Sequence, residues 1–502
     1  MKNLFKYSFI GILGVLLLAS CYRDKGNYSY RDLNEISIDL PDLVSVQQGM
    51  ILDVSPGLNF ALEDSEDNLS YEWVISIPTS TDSVKVVLST ERNFSERIDY
   101  SSGNSYPFSF KVTDKNTGVT YRKGMSLQVK TDYQPGYFIV EQYHDRGDIS
   151  FYNTETKAVY HNLFSEVNPD IALKPNVTDL FSVDYNGYSV SIDPDTYKFA
   201  AGNLTMLFGE DWGYVIDYRS CRVISGVEQM FSTTPAVIRP QFLGMDASPN
   251  FFLMNDGKIH RMYQSQGQTL FGDAFVTADG LDYDCAPVIG LGFYYRGMVS
   301  GVLFYDELNH RFYGENYKSM IFNHVQSRYV VDKDTLIDAG KIDEDWELIG
   351  MAQGGMMNTS YFVVFKDPDN VYVAHYAITG GGFSSGPFGV AKEENCPGMR
   401  DSPVFVAPTG RSQVYYANGN EIRLYDIYAN TSRAIHTFPV GENVTSIVFP
   451  TTDGLKLAAA TYDGAKGSIY TFDLVNTGDL KDPTPTASET GFGYIKKMVY
   501  KK

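Results

Sequence analysis

One unit recurs from residue 136 to the end of this 502-residue chain and constrains its fold more than any other feature. Each copy consists of an apolar strand, a polar turn rich in Asn, Asp and Gly, and a second strand that ends in an aromatic residue. Copies begin at Gly136, Leu204 (a weaker one), Phe251, Gly301, Tyr361, Gln413 and Leu457. The starts from Phe251 onward are 50, 60, 52 and 44 residues apart. A period of about 40–50 residues with several strands in each repeat is typical of β-propellers.

The residue composition also favours strands over helices. The chain holds 37 tyrosines and 31 phenylalanines, and aromatic residues are enriched in strands. Its 44 glycines occur with Asn and Asp in short turns between alternating apolar runs, as in all-β proteins. Seven units in residues 136–502 would have about 52 residues each, which suits four-stranded blades with long loops. We therefore predict an all-β chain whose residues 136–502 form a seven-bladed β-propeller, with two stacked β-sandwiches as the alternative.

Residues 36–131 have the pattern of a smaller β-domain. The alternating run YPFSFKVTD precedes a turn at Lys115–Gly118, as in a hairpin. Trp73 lies in the run LSYEWVISI, where an immunoglobulin-like sandwich places a core aromatic residue on a central strand. We predict a PKD/Ig-like β-sandwich over residues 36–131 and a break near residues 131–136. We also expect the C-terminal strand in Gly493–Tyr500 to close the propeller against its first blade.

The N-terminal residues have the pattern of a bacterial lipoprotein signal. Two lysines precede an apolar run of about ten residues, Phe9–Leu18, which is shorter than the ~20 residues of a membrane-spanning helix and fits a secretory signal. The Leu-Ala-Ser-Cys sequence that follows is a lipobox pattern, in which the cysteine receives a diacylglycerol. We predict a signal peptide in residues 1–20, lipid attachment at Cys21 and a lipidated tether over residues 21–35. The acyl chains would then hold the protein on a membrane without a transmembrane segment.

The charge and the cysteines narrow the possible partners and cofactors. A formal net charge of −20 repels phosphate backbones, so we expect no nucleic-acid partner. The cysteines after Cys21 are predicted to be buried thiols with at most one disulfide, and they are Cys221, Cys285 and Cys396. No CxxC or HExxH spacing is present, so no metal site is indicated. Asp-rich turns such as Asp367–Asn370 match no calcium-loop pattern. We expect no cofactor apart from the lipid, and structural calcium would have no supporting motif.

The sequence gives little sign of an enzyme. His144 and Asp145 are neighbours, but no G-x-S-x-G motif supplies a nucleophile, and a polar hairpin loop is the simpler interpretation. Acidic residues are frequent, yet sequence spacing does not show which pair would be separated as glycoside hydrolysis requires. The glycine-rich run Thr379–Gly389 lacks the lysine of a phosphate-binding loop and is predicted to be a surface loop.

Aromatic residues are the best candidates for contacts with a ligand. Trp212 and Trp346 are flanked by acidic residues, which predicts exposure at a turn or at a strand start. Tyr294, Tyr295 and Arg296 form a similar cluster. Exposed aromatic side chains can stack on sugars or contact a peptide or a protein. The alternative for each of them is packing between blades.

The stretch from Cys21 to Ile36, CYRDKGNYSYRDLNEI, closely resembles the start of the PKD-like family of Bacteroidetes lipoproteins. The matching residues are Asp24, Lys25, Gly26, Asn27, Tyr28, Tyr30, Asp32, Asn34 and Glu35. The stretch from Gln134 to Tyr152 is similar to that family's entry into its C-terminal region, with Tyr137 where Trp is usual. Members of the family are typically encoded beside SusC/SusD-type outer-membrane importers. The resemblance therefore implies a SusC-type barrel and a SusD-type lipoprotein as partners, and a location on the outer membrane that faces the cell exterior.

These observations together favour a binding protein over a catalyst. We expect a non-catalytic binding or scaffolding subunit of a SusC/SusD-type nutrient importer, which captures oligopeptides or glycans. A surface propeller hydrolase that acts on glycans or peptides is one alternative, and a stand-alone adhesin is another.

Overall fold

A computed structural model describes residues 34–501 of the chain apart from several short segments. The segments left out are residues 48–49, 63–65, 79–82, 99, 101–104, 131–132, 134, 194–197, 218–219, 246–249, 264–269, 294–299, 317–320, 325–327, 331–335, 339–341, 355–359, 380–381, 409–410, 412 and 452. The regular secondary structure of the described residues is almost entirely β-strand, so the all-β prediction is confirmed. The α-helix of the described residues, α1, is the five-residue segment Leu163–Val167. No helix in this part of the chain is long and apolar enough to cross a membrane.

The N-terminal segment holds the first nine strands. They are β1 (Ile36–Asp39), β2 (Leu43–Gln47), β3 (Ile51–Val54), β4 (Gly57–Phe60), β5 (Leu69–Pro78), β6 (Ser83–Ser89), β7 (Phe94–Arg97), β8 (Ser105–Asp114) and β9 (Thr120–Lys130). Five of them form one sheet in the order β2-β9-β8-β5-β6, and the pairs β1-β4 and β3-β7 form two small sheets. The pairing of β2 with β9 is parallel and the others are antiparallel.

Trp73 of β5 is the centre of this segment's core. Its side chain is fully buried, and its ring centroid lies 4.4 Å from that of Phe110 and 5.4 Å from that of Phe108. The indole N–H donates a hydrogen bond of 3.0 Å to the carbonyl oxygen of Glu91, so the polar atom of the ring is satisfied. A buried aromatic residue on a central strand is what the sequence predicted.

The remaining strands follow the break between Lys130 and Gly136. The first four groups are β10 (Gly136–Gln142), β11 (Gly147–Asn153) and β12 (Val159–Tyr160); β13 (Val177–Asp193), β14 (Lys198–Gly209), β15 (Gly213–Asp217) and β16 (Val223–Gly226); β17 (Pro240–Met245), β18 (Asn250–Asn255) and β19 (Lys258–Tyr263); and β20 (Val276–Thr277), β21 (Cys285–Phe293), β22 (Ser300–Asp306), β23 (Arg311–Asn316) and β24 (Ile321–His324).

A separate hairpin and three further groups complete the chain. They are β25 (Arg328–Val330) and β26 (Leu336–Asp338); β27 (Glu347–Gly354), β28 (Ser360–Lys366), β29 (Val371–Thr379) and β30 (Gly382–Ala391); β31 (Phe405–Val406), β32 (Gln413–Asn418), β33 (Glu421–Asp426) and β34 (Thr431–Thr437); and β35 (Asn443–Val448), β36 (Lys456–Tyr462), β37 (Gly467–Asp473), β38 (Ala487–Phe492) and the C-terminal strand β39 (Tyr494–Lys501).

Within each group, consecutive strands are antiparallel neighbours in one sheet, apart from β20, which pairs in parallel with β24, and β39, which joins the sheet of β10. Tight turns explain this local order. Asp256 and Gly257 join β18 to β19 with φ angles of 50° and 66°, the left-handed conformation that a two-residue hairpin turn requires and that a Gly readily adopts. Residues 143–146 connect β10 to β11, so the stretch with His144 and Asp145 is a hairpin loop, as predicted.

The sheets are linked through their first strands. Contacts join β39 to β13, β13 to β17, β17 to β21, β21 to β27, β27 to β31, β31 to β35 and β35 back to β39. The C-terminal strand β39 belongs by hydrogen bonding to the sheet of β10, with Gly136 opposite Lys501. The last strand of the chain therefore completes the first sheet after Gly136 and closes a circle of contacts.

Side chains of each sheet pack alternately against the sheets on either side. In β10, Phe138 and Val140 pack with residues of the β13 sheet, whereas Tyr137 and Ile139 pack with residues of the β35 sheet. Both faces of such a strand are covered, which explains apolar runs such as residues 137–140 in place of strict alternation. Burial of each large apolar side chain contributes about 1.5–3 kcal/mol.

One segment differs from the sequence-based expectation. The glycine-rich run Thr379–Gly389 was predicted to be a surface loop, but Gly382–Ala391 forms strand β30, which pairs with β29. An outer strand needs backbone hydrogen bonds to one neighbour and no large side chains, so a sequence of small residues can occupy it.

Candidate functional site

A cavity of about 430 Å³ lies where the turns of three neighbouring sheets meet. It is bounded by the starts of β35 and β39, by the β36–β37 turn and by residues that precede β31. Its main polar and aromatic residues are Asp401, Asn443, Thr445, Tyr462, Asp463 and Tyr494. Its volume is within the range of about 300–1,000 Å³ that is usual for small-ligand sites.

Two inner strands carry a β-bulge beside this cavity. In β35, Val444 pairs with Thr461 and Ser446 with Ala460, so Thr445 is an extra residue. In β39, Ile495 pairs with Glu141 and Lys497 with Val140, so Lys496 is an extra residue as well. A bulge leaves one residue outside the regular ladder and changes the direction of its side chain, and such irregularities are common next to binding sites.

Thr445 lines the cavity with an unsatisfied hydroxyl. The residue is 9% exposed, and its side-chain oxygen has no hydrogen-bond partner among the described residues. A buried hydroxyl without a partner has a free-energy cost of about 1–3 kcal/mol. A hydrogen bond from this hydroxyl to a molecule in the cavity would remove that cost.

Two tyrosines form the aromatic part of the lining. The ring centroids of Tyr462 and Tyr494 are 5.2 Å apart and their planes make an angle of 69°, which is an edge-to-face contact. Both side chains are half-buried. The ammonium group of Lys496 lies over the Tyr494 ring, 5.4 Å from its centroid, within the range of a cation–π contact.

The carboxylate of Asp463 stabilises its own turn. Its Oδ1 atom accepts hydrogen bonds of 2.8 Å from the backbone N–H groups of Lys466 and Ala465. These two bonds lower the pKa of Asp463, so the side chain is ionised at neutral pH. It is unsuited to be the proton donor that glycoside hydrolysis requires, because such an acid needs a raised pKa.

An ion pair joins the inner strands β13 and β39. The ammonium nitrogen of Lys497 is 2.6 Å from a carboxylate oxygen of Asp179 and 4.3 Å from the centroid of the Phe181 ring. Burial raises the pKa of Asp179, and the charge of Lys497 acts in the opposite direction. The pair links the first inner strand of the circle to the closing strand.

A second cavity, of about 420 Å³, lies at the opposite ends of the same strands. It is bordered by Pro135 at the start of the second segment and by Tyr500 near the end of β39. Tyr152 also lines it; this residue is 1% exposed, and its hydroxyl has no hydrogen-bond partner in the part of the chain that the structure describes. Charged side chains of both signs line this cavity, and they are Glu155, Lys157, Lys456 and Asp473.

The two tryptophans that the sequence suggested as ligand contacts belong to other parts of the molecule. Trp212 is 8% exposed and packs in the core between the β10 and β13 sheets, so the expectation that it would be exposed is wrong. Acidic neighbours suggested exposure, but the β14–β15 turn folds the indole over Gly209. A Cβ atom on Gly209 would lie 2.0 Å from the Trp212 ring, so the position requires glycine.

Trp346 is half-buried and contacts a tyrosine of its own sheet. Its ring stacks on Tyr372 with centroids 3.8 Å apart and an interplanar angle of 13°. It also packs against the cluster between the β21 and β27 sheets. Trp212 and Trp346 are thus in separate clusters, and neither of them lines either of the two cavities. Tyr294, Tyr295 and Arg296 lie outside the described residues, as does Cys21.

The three remaining cysteines are buried free thiols in the described structure. Burial raises the pKa of each, and that of Cys396 reaches about 11. Among the residues that the structure describes, no group of His, Cys, Asp and Glu side chains could hold a metal ion. The turn Asp367–Asn370 is a hydrogen-bonded turn, in which Asp367 accepts the backbone N–H groups of Asp369 and Asn370.

Sequence reasoning did not identify the residues of the first cavity. Thr445 lies in the ordinary strand sequence NVTSIV, and nothing in that sequence indicates the bulge. The only available signal was Tyr462, because it ends a strand and precedes the turn Asp463–Gly464, where aromatic residues are often accessible.

Comparison with known proteins gives weak overall similarity to solved structures. A quinonprotein alcohol dehydrogenase-like protein from Bacteroides thetaiotaomicron is 13% identical, with 92% of this chain and 97% of that chain covered and a TM-score of 0.41. A protein from Lactobacillus plantarum is 10% identical over 73% of this chain and 99% of that chain, with a TM-score of 0.47. The periplasmic gluconolactonase of Pseudomonas aeruginosa is 9% identical over 73% and 98%, with a TM-score of 0.39.

Identities of this size say nothing about activity. Comparison with curated protein sequences found no significant match. The N-terminal part of the chain gives a clearer result, since it carries the DKGNYSY motif and the strands β1–β9. Residues 21–199 match the model of the PKD-like family.

Proposed function

We propose that the chain is a lipid-anchored, non-catalytic binding or scaffolding subunit of a SusC/SusD-type nutrient importer, and that it captures oligopeptides or glycans outside the outer membrane. In this proposal, residues 36–131 are a PKD/Ig-like sandwich and residues 136–502 are a seven-bladed propeller. The circle of contacts between first strands and the closure by β39 support a propeller. The family match over residues 21–199 supports the N-terminal part.

The cavity beside Thr445 is the observation that carries the binding role. It offers an unpartnered hydroxyl and two tyrosine rings, which are groups that hold a ligand. Its carboxylate Asp463 is ionised and hydrogen-bonded to its own turn, so it supplies no acid for hydrolysis. A binding site needs complementary contacts only, whereas a hydrolase also needs a second carboxyl group with a raised pKa.

The anchor part of the proposal depends on Cys21. A diacylglycerol on this residue and an acylated amino group would make membrane attachment effectively permanent. The tether over residues 21–35 would then separate the membrane from the first strand, β1.

Purification from native membranes tests the proposal. Outer membranes of the bacterium that produces the chain are dissolved in a mild detergent, the chain is captured with an antibody, and the co-purified proteins are identified by mass spectrometry. We expect a SusC-type barrel and a SusD-type lipoprotein. A C21S variant is the control, because it lacks the lipid and should be recovered in the soluble fraction without the barrel.

Repeated capture of the chain without the barrel would contradict the importer role. Shortened products after incubation of the purified chain with oligosaccharides or peptides would favour the hydrolase alternative. Binding of host material that persists after deletion of the importer genes would favour the adhesin.

A further inference from the structure

The cavity beside Thr445 has the chemistry of a carbohydrate site. We infer that it binds an uncharged oligosaccharide through the Thr445 hydroxyl and the Tyr462–Tyr494 pair. This inference rests on the proposed binding function and narrows its ligand class, since the proposal itself allows peptides as well.

The lining of the cavity includes a hydroxyl group that no other described residue binds. Thr445 lies at the bulge in β35, is nine-tenths buried, and its hydroxyl has no hydrogen-bond partner among the described residues. A threonine hydroxyl can donate one hydrogen bond and accept two, so it matches the hydroxyl groups of a sugar, which also both donate and accept. Asn443, two residues earlier in β35, adds an exposed amide with both donors and acceptors.

The aromatic side chains provide the apolar contact. A sugar ring presents C–H groups on its faces, and tyrosine rings at the edge of a cavity can stack against them. Tyr462 and Tyr494 are held in a fixed edge-to-face arrangement, so little side-chain entropy would be lost on binding. Gly419, Gly441 and Gly464 border the same cavity, and their lack of side chains leaves room for a flat ring to approach.

The charges around the cavity disfavour anionic ligands. Its charged lining residues are Asp401 and Asp463, and no cationic side chain is among its lining residues. An anionic ligand or the carboxylate of a peptide C-terminus would therefore be repelled. The ammonium group of Lys496 already lies over the Tyr494 ring, so a ligand cation would have to displace it to make a cation–π contact with that ring. An uncharged molecule with many hydroxyl groups meets neither obstacle.

Isothermal titration calorimetry of the full mature lipoprotein in detergent micelles tests the inference. The probes are maltohexaose, cellohexaose, xylohexaose and mannohexaose, with oligogalacturonate as an anionic probe and trialanine as a peptide probe. We expect one of the neutral oligosaccharides to saturate a single site with a Kd between about 1 μM and 1 mM. The two charged probes should not saturate the site in that range.

Two substitutions locate the binding site. T445V replaces the hydroxyl with a methyl group of the same shape and should weaken binding about five- to twentyfold, because one hydrogen bond is lost. Y494A removes one ring of the pair and should weaken it at least about tenfold. T431V and Y428A are the matched controls. Both residues are exposed, Tyr428 at 72%, and they lie in or next to the β33–β34 turn. Neither residue lines the cavity. The controls should leave the affinity unchanged.

Every outcome bears on the inference. Absence of saturation by all four neutral probes at about 10 mM, or saturation by trialanine or oligogalacturonate instead, would overturn it. Binding of a neutral probe that survives both T445V and Y494A would overturn the assignment to this cavity, provided that thermal unfolding shows both variants to be folded. N443A provides a further surface variant if T445V does not fold. Co-purification with the barrel is measured separately, so a failure to bind sugar is distinguishable from a failure of the importer role.

Discussion

The ion pair between Lys497 and Asp179 gives the most informative test of how the circle of sheets is closed. Replacement of Lys497 by alanine removes the cation and leaves the Asp179 carboxylate against β39 without its partner. The Phe181 ring also loses the ammonium group that lies 4.3 Å from its centroid. We expect K497A to lower the free energy of unfolding.

The exposure of the two side chains sets the size of the effect. Removal of one partner from a fully buried ion pair costs about 3–5 kcal/mol, whereas exposed pairs contribute about 0–1 kcal/mol. Lys497 has 34% of its side-chain surface exposed and Asp179 has 25%, so solvent screens part of the interaction. We therefore expect a loss of about 1–3 kcal/mol for K497A.

The assay is chemical denaturation of the mature chain at neutral pH, carried out as a double-mutant cycle with K497A and D179N. The double variant should be more stable than the sum of the two single effects predicts, because the neutral amide no longer requires a cation. K174A is the control. The pair that it breaks, Lys174 with Asp211, is 3.6 Å long and has exposures of 63% and 73%, so its loss should stay within about 0.5 kcal/mol.

Equal losses for K497A and K174A would refute the reasoning, as would a coupling energy of zero in the cycle. Acid provides a second check. The pKa of Asp179 is raised by burial, so the carboxyl group becomes protonated early as the pH falls, and the difference between wild type and K497A should shrink at acidic pH.

Three further predictions concern packing, closure and titration. G209A should destabilise the chain by about 1–3 kcal/mol in thermal unfolding, because the new Cβ atom would overlap the buried Trp212 ring. G124A, in β9, where no atom lies within 4 Å of the new Cβ, is the control for the loss of a glycine without overlap. Deletion of residues 494–502 removes β39 and leaves β10 without one of its two neighbours, so we expect aggregated or protease-sensitive protein in limited proteolysis, and a folded monomer would contradict this. Burial lowers the pKa of His260, His375 and His436, so the unfolded state binds protons more readily than the folded state. The free energy of unfolding should therefore be highest above pH ~6.5 and fall below it, by up to about 1.4 kcal/mol per pH unit for each histidine. H436F should make this pH profile flatter.

Strand content and local turns could be predicted from the sequence because they depend on short-range patterns. The Asp256–Gly257 turn, the hairpin loop at residues 143–146 and the buried Trp73 follow from residue type and spacing. The C-terminal strand was also predicted to pair with the first blade, and β39 does pair with β10. For the turn, the hairpin loop and Trp73, a few neighbouring residues determine the outcome, whereas the pairing of β39 with β10 was expected from the repeat pattern.

The candidate site could not be predicted because it depends on contacts between distant residues. Thr445 lines the cavity only because of a one-residue bulge whose position depends on pairing with β36. Trp212 has acidic neighbours that suggested exposure, yet it is buried because a glycine three positions earlier allows the ring to fold back. The lipid anchor and the importer partners remain predictions that the purification from native membranes addresses, and the blade number also remains a prediction.

The pairing of Gly136 with Lys501 brings the first and last strands of the second segment side by side. A segment whose two ends are adjacent can be inserted into another chain, or joined to a preceding domain through one short linker, without disruption of its sheets. The N-terminal domain and any C-terminal fusion would therefore emerge at the same place, next to the cavity bordered by Pro135 and Tyr500. A C-terminal affinity tag would be crowded there, whereas a label in the β33–β34 turn, where Tyr428 is exposed, would leave both cavities accessible.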